Sequence, residues 1–211
     1  MIMQKLNVQY GCGLTAPEGW LNFDASPTLY LQKIPVLSFW AKRKVDFPKN
    51  VLFGNILAGL PGIKNGTCDA VFCSHVLEHL SLEDFHLALR QTYDLLKPGG
   101  IFRAVLPDLA FHARNYLKEK ESNPNASVHF LQATMLGVEV RKKKWLEKLI
   151  SLWGNAEHLW MWDHESFEVA LRNAGFTSIR RCEYGDSADK DFSNVEQEGR
   201  FWGSIAFECI K

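Results

Sequence analysis

The sequence predicts an α/β protein in which one mainly parallel sheet is covered by helices on both faces. Three observations lead to it. Short β-like runs alternate with amphipathic helical runs along 211 residues, a glycine-rich turn closes the first β-run, and an acidic residue closes the second. A chain of this length supports one domain with a substantial core. No Gly/Ser linker or internal repeat marks a boundary, so residues 1–211 read as a single domain.

The β-like runs fall at 6–10, 20–24, 51–54, 69–73, 101–106, 177–183 and 203–210. Three helices have chemical start and stop signals. Ser81-Leu82-Glu83-Asp84 resembles a capping box, and Leu82, Phe85, Leu89, Tyr93 and Leu96 recur after it at helical spacing until Lys97-Pro98-Gly99-Gly100 ends the run. Asp108 is placed to cap a helix through about Lys120, ahead of Asn123-Pro124. Asp163 is placed to cap another, with Phe167, Leu171 and Ala174 on one face and Gly175 as its stop. Residues 121–160 are longer than an ordinary connection and are expected to form an insertion, a lid or substrate wall.

Composition narrows the class. The chain is 46% hydrophobic and 23% charged, and 24 basic residues balance 24 acidic ones, so no overall field favours a nucleic-acid partner. Lys5-Leu6-Asn7-Val8 leads straight into the first β-run without the basic and apolar regions of a secretory signal, and no apolar run approaches the roughly 18 residues of a membrane span. Five scattered cysteines with no CxxC pair read as reduced thiols, so a cytoplasmic protein is expected.

Glycines at a strand's carboxyl end let a ligand approach the backbone closely, which is the functional reading of Tyr10-Gly11-Cys12-Gly13; the bland one is a tight turn. Asp24 ends the second run, where a carboxylate can accept ribose hydroxyls. It follows Gly13 by only eleven positions, against about twenty in the dinucleotide fingerprint. Pro17 and Gly19 lie in that gap, so the helix after the glycine loop must be very short or absent. Without its N-terminal dipole a pyrophosphate is disfavoured, and a nucleoside lacking phosphates fits better.

At this point the chain resembles a family. Leu6–Gly13, Gly19–Pro27, Val71–Leu80, Leu95–Gly100 and Val105–Leu109 carry, in order, a glycine loop, a GW-N-D-SP strand, an SHVLEHL turn, an LKPGG helix end and a VPDL-like strand end. This set resembles predicted class I S-adenosylmethionine-dependent methyltransferases found beside polysaccharide genes, and the likeness extends through His158–Asp163 to the tail Asp186–Phe201. It implies a Rossmann-like sheet of seven strands with the last antiparallel, S-adenosylmethionine as cofactor and S-adenosylhomocysteine as product. It also implies Tyr10, Gly11, Cys12 and Gly13 beside the methionine part, Asp24 on the ribose, Asn55 and Ile56 near the adenine, and Ser74 and His75 along the cofactor. The acceptor expected is a small molecule or glycan, and O-methylation is the expected chemistry. A module that holds the cofactor without turnover is the alternative.

His75-Val76-Leu77-Glu78-His79 supports three readings. The imidazoles can hydrogen-bond locally and shape the cofactor floor. The trio His75, Glu78 and His79 can instead hold a divalent metal, with a further ligand from His112, His129, His158 or His164, since the turn resembles the EVIEHL segment of small-RNA 2′-O-methyltransferases, where side chains of the turn coordinate magnesium; two imidazoles here favour zinc, iron or manganese. The third reading is an inverted zinc-peptidase motif, a metal-dependent hydrolase, which needs one continuous helix. Candidate bases for an acceptor hydroxyl are His75, His79, Asp108 and His158, although Asp108 is equally well explained as a helix cap. The aromatic run His158–Trp162 reads as core packing or as a stacking platform. Asp186, Glu196 and Arg200 read as ion pairs bracing the last connection or as substrate contacts. Basic segments with tryptophan at 34–44 and 141–153 read as solvated faces or as weak membrane-surface contacts.

Overall fold

The computed structural model describes residues 5–34, 39, 43, 45–139 and 157–211. The strands are β1 (Asn7–Tyr10), β2 (Trp20–Asp24), β3 (Val51–Phe53), β4 (Cys68–Ser74), β5 (Leu96–Pro107), β6 (Thr177–Arg181) and β7 (Ser204–Ile210). They form one sheet in the order β3-β2-β1-β4-β5-β7-β6. β7 is antiparallel to both β5 and β6, and the other neighbours pair in parallel. The order reverses between β1 and β4, which opens a crevice outside their carboxyl ends.

Local chemistry accounts for most of the helices. α1 (Pro27–Gln32) starts with Pro27 in its first turn and the Ser26 hydroxyl accepting from Thr28 N–H. α2 (Leu82–Leu95) is capped by Ser81, whose Oγ accepts from Asp84 N–H. α3 (Leu109–Glu119) is capped by Asp108, and α4 (Ala126–Ala133) follows. α5 (His164–Asn173) carries a full capping box between Asp163 and Ser166, and ends at Gly175 with φ of 104°.

One boundary differs from expectation. Lys97–Gly100 ends α2 and also opens β5, because Gly99 N–H donates to the Lys211 carbonyl and Lys211 N–H donates to that of Gly100. The sheet thus gains a rung at the chain's last residue. Helix α4 lies within the expected insertion, the remainder of which, 140–156, falls outside the described residues with the basic tryptophan segment there. The 34–44 segment is likewise mostly outside them. Among the described residues no helix is long and apolar enough to cross a membrane.

The two faces of the sheet are covered differently. α2 and α5 pack on one face through Phe85, Leu89, Phe167 and Leu171, all buried with Phe102 and Phe207 of the sheet. On the other face, residues 11–19 form no helix, so the first crossover leaves β1, β4 and β5 uncovered there. The long β6–β7 connection fills the gap. Its 3₁₀ turn Lys190–Asn194 puts Phe192 against Trp20 at 5.5 Å and Phe72 at 6.3 Å, with Val195 in the same cluster. The Trp20 indole N–H donates to the Asp191 carbonyl at 3.2 Å. A segment about 180 residues beyond β1 therefore does the packing of a first helix.

Beneath that segment Arg103 of β5 is fully buried. Its guanidinium pairs with Glu196, with Glu208 at 3.1 Å and with Asp186 at 3.0 Å, and it donates to the Glu183 carbonyl at 2.6 Å. Asp186 and Glu196 thereby tie the last connection to β5.

Candidate functional site

The crevice begins at the β1 turn. Gly11 and Gly13 sit at φ of 66° and 55°, in the left-handed region. A Cβ on Gly11 would lie 2.0 Å from Val76 Cγ2, so this glycine is demanded by packing against the β4 turn. A Cβ on Gly13 would meet nothing within 4 Å, which leaves its approach open to a ligand. Gly13 N–H donates to Asp24 Oδ2 at 2.9 Å, and Ser26 N–H donates to Asp24 Oδ1 at 2.7 Å. Both bonds orient the Asp24 carboxylate and leave each oxygen further accepting capacity.

The side chains named from sequence divide clearly. Ser74 Oγ is buried with no hydrogen-bond partner, and it lines a narrow pocket of about 20 Å³ with Gly11, Cys12, Thr15, Gln197 and Arg200. Burial pushes the Cys12 thiol up to about 12 and keeps it protonated. Tyr10 offers only its backbone here, because its ring is buried and its hydroxyl meets Thr92 Oγ1 at 3.1 Å. Asn55 caps a 3₁₀ turn, its side chain accepting from Leu57 N–H at 3.0 Å, and Ile56 is in the core. Gln197 closes the pocket by donating to Thr15 Oγ1. It was missed in the sequence, since it lies in the β6–β7 connection and carries no local signal.

His75 follows β4 with φ of 55°. Its Nε2 is 2.9 Å from the Arg200 carbonyl and 3.5 Å from Ser204 Oγ, and its Nδ1 is 3.4 Å from Glu78 Oε1. Burial pulls this imidazole down, the adjoining Glu78 carboxylate pushes it up, and the net direction is upward. The turn Leu77–His79 is 3₁₀ and closes at Leu80 before α2 starts, so the continuous helix of a zinc-peptidase motif is not present.

Three expected residues converge beyond it. Glu78, His79 and His158 each offer a ligand atom within 4.8 Å of the others. His158, one of the further ligands weighed from sequence, joins Glu78 and His79 because the chain after the insertion returns over the turn. Leu159 and Trp160 N–H groups donate to the Glu78 carbonyl at 2.7 and 3.2 Å and hold it there. Burial pulls the His158 imidazole down, with the Glu78 charge opposing, so its neutral form is favoured.

Asp108 lies apart from this cluster. It is buried as the cap of α3, accepting from Ala110 N–H at 2.8 Å, with Arg114 at 3.5 Å. Trp162 is core, stacked on Phe85 at 4.0 Å, whereas Trp160 is exposed. A second, wider cleft of about 580 Å³ is lined by His164, Cys182, Tyr184, Phe201 and Ser204, and so adjoins His75 through Ser204.

Residues 18–180 match the model of a methyltransferase domain family. Among solved structures, the whole chain is similar to 84% of a protein from Thermotoga maritima described as an S-adenosylmethionine-dependent methyltransferase, possibly acting on histamine nitrogen, with 18% identity and a TM-score of 0.51. It is also similar, over 99% of its length, to 87% of an S-adenosylmethionine-dependent methyltransferase from Archaeoglobus fulgidus, with 16% identity and a TM-score of 0.51. At these identities the likeness is one of fold. No curated protein matches the chain.

Proposed function

Because this chain belongs to the methyltransferase domain family, we propose that it transfers the methyl group of S-adenosylmethionine to a hydroxyl of a small-molecule or glycan acceptor. The observation that carries the cofactor reading is the Asp24 carboxylate, held by Gly13 and Ser26 N–H groups at the carboxyl edge of β1 and β2. Asp24 accepts the ribose hydroxyls. Gly11, Cys12 and the unpartnered Ser74 Oγ face the methionine part, with Gln197 and Arg200 at its amino-acid end. When bound, the cofactor supplies an electrophilic methyl on a sulfonium.

The chain's own residues then position the acceptor, which contributes most in an in-line displacement. The cleft that adjoins Ser204 is wide enough for a sugar or aromatic ring. His75 adjoins it through Ser204 Oγ, with Nε2 held by the Arg200 carbonyl. A polysaccharide-related acceptor rests on the resemblance of the ordered motifs.

Calorimetric titration with S-adenosylhomocysteine tests the cofactor reading. Micromolar binding, weakened tenfold or more (about 1.4 kcal/mol) by Asp24→Ala, is expected. Absence of binding to folded wild-type protein overturns it.

A further inference from the structure

We propose that the cleft beside Ser204 selects an acceptor carrying a protonated amine, held by the Glu183 carboxylate and the Tyr184 and Phe201 rings. Its use as an acceptor site rests on the proposed methyl transfer; its charge preference rests on the cleft's own residues. Tyr184 and Phe201 line the cleft and meet edge to face at 5.7 Å, and Tyr184 is 47% exposed. An aromatic ring open to solvent can offer its negative face to a cation. Glu183 lines the same cleft and is exposed. Among the described residues its carboxylate forms no ion pair or hydrogen bond.

The other charges around the cleft either cancel or leave it negative. The Arg181 guanidinium is taken by Glu165 at 2.7 Å, so that pair adds no net charge. Burial and the Arg181 charge pull the His164 imidazole down against the nearby carboxylates, which favours its neutral form. Cys182, on the wall of the cleft, lies in the field of Arg103, Asp186, Arg180 and Glu208. That network sets two guanidiniums, of Arg103 and Arg180, against three carboxylates, of Asp186, Glu196 and Glu208, an excess of one negative charge. Glu183 adds another. A cleft lined by one sign of charge focuses its field, so a cation is drawn in and a carboxylate or phosphate is repelled.

The cleft also reaches Ser204, whose Oγ is 3.5 Å from His75 Nε2. A hydroxyl at that end and an ammonium beside Glu183 can belong to one molecule of modest size. The substrate class indicated is therefore a hydroxylated amine, an amino sugar or an aryl-alkyl amine, each presenting an ammonium to the same carboxylate.

The test is calorimetric titration of the full chain, with and without S-adenosylhomocysteine. Tyramine, tyrosol and 4-hydroxyphenylacetate share a phenol and end in a cationic, a neutral and an anionic group; glucosamine and glucose form the second set. A cationic probe is expected to bind about tenfold or more tighter than its neutral partner. Glu183→Gln and Tyr184→Leu are each expected to weaken it about threefold or more. The set that shows the preference identifies the source, sugar or aryl-alkyl. Circular dichroism confirms that each variant is folded, and if one is not, the other decides. Neutral or anionic probes that bind as tightly as the cations overturn the inference. So does absence of binding by both cations at millimolar concentration, or a preference unchanged in both variants. The two readings fail separately. Binding of S-adenosylhomocysteine without any charge preference removes only the amine; a charge preference in protein that binds no S-adenosylhomocysteine keeps the cleft and removes the methyl-transfer reading.

Discussion

The fully buried guanidinium of Arg103, on β5, is paired with the carboxylate of Glu196, 93 positions further along the chain. The other oxygen of Glu196 accepts from Gly185 N–H at 2.9 Å, so one carboxylate ties both ends of the β6–β7 connection to the sheet. Removing Glu196 leaves Arg103 with Glu208 and Asp186 but takes away a buried charged hydrogen bond and the Gly185 contact. Glu196→Ala is expected to cost about 1.5–3 kcal/mol in urea unfolding. A change below about 1 kcal/mol would show that Arg103 is satisfied without it.

Asp186 faces the same cluster from a more exposed position. Burial acts upward on its carboxyl, but hydrogen bonds from Arg180, from the Glu183 backbone and from Arg103 outweigh it, and the net value is lowered to about 2. A group lowered on folding stabilises the native state above its unfolded value, near 4, and loses that contribution as the pH falls toward 2. Asp186→Asn is expected to be less stable than wild type at pH 7, with the gap closing between about pH 4 and pH 2. Acid-denaturation curves with a constant gap would refute this origin of the shift.

The Gly11 and Gly13 backbones are alike in φ, but their surroundings differ. An added methyl on Gly11 meets Val76, whereas on Gly13 it meets only the unfavourable φ, worth roughly 1–2 kcal/mol. Gly11→Ala should therefore destabilise by about 1–3 kcal/mol more than Gly13→Ala. Part of that excess should return in the Gly11→Ala/Val76→Ala double variant. Chemical denaturation of wild type, Gly11→Ala, Gly13→Ala, Val76→Ala and the double variant checks it, and strict additivity would mean the contact is not the cause.

Arg200 lines the pocket proposed for the cofactor and so tests which part of it is bound there. If its guanidinium meets the amino-acid end, Arg200→Ala weakens S-adenosylhomocysteine about tenfold or more, as loss of a charge-assisted hydrogen bond does. Binding of 5′-methylthioadenosine, which lacks that end, should be unchanged. Equal loss for both ligands would place the arginine elsewhere.

Much of the architecture was legible because it rests on local chemistry. Strand runs, the Ser81, Asp108 and Asp163 caps, and the missing helix after Gly13 follow from side-chain period, capping hydroxyls and carboxylates, and Pro17 and Gly19 in a short gap. The Gly13–Asp24 relation was legible for the same reason, since β1 and β2 pair in parallel register with only a short turn between them.

Tertiary structure decided what no local period encodes. His158 stands beside Glu78, Gln197 closes the β1 pocket, and Phe192 covers Trp20, each across a long sequence separation. These contacts depend on where the sheet order and the long connections return the chain, and on which buried groups need partners there. Glu78 shows the difference: its spacing from His79 is a property of the sequence, but its burial without a hydrogen bond, with His158 opposite, arises only when residues after the insertion fold back over the β4 turn.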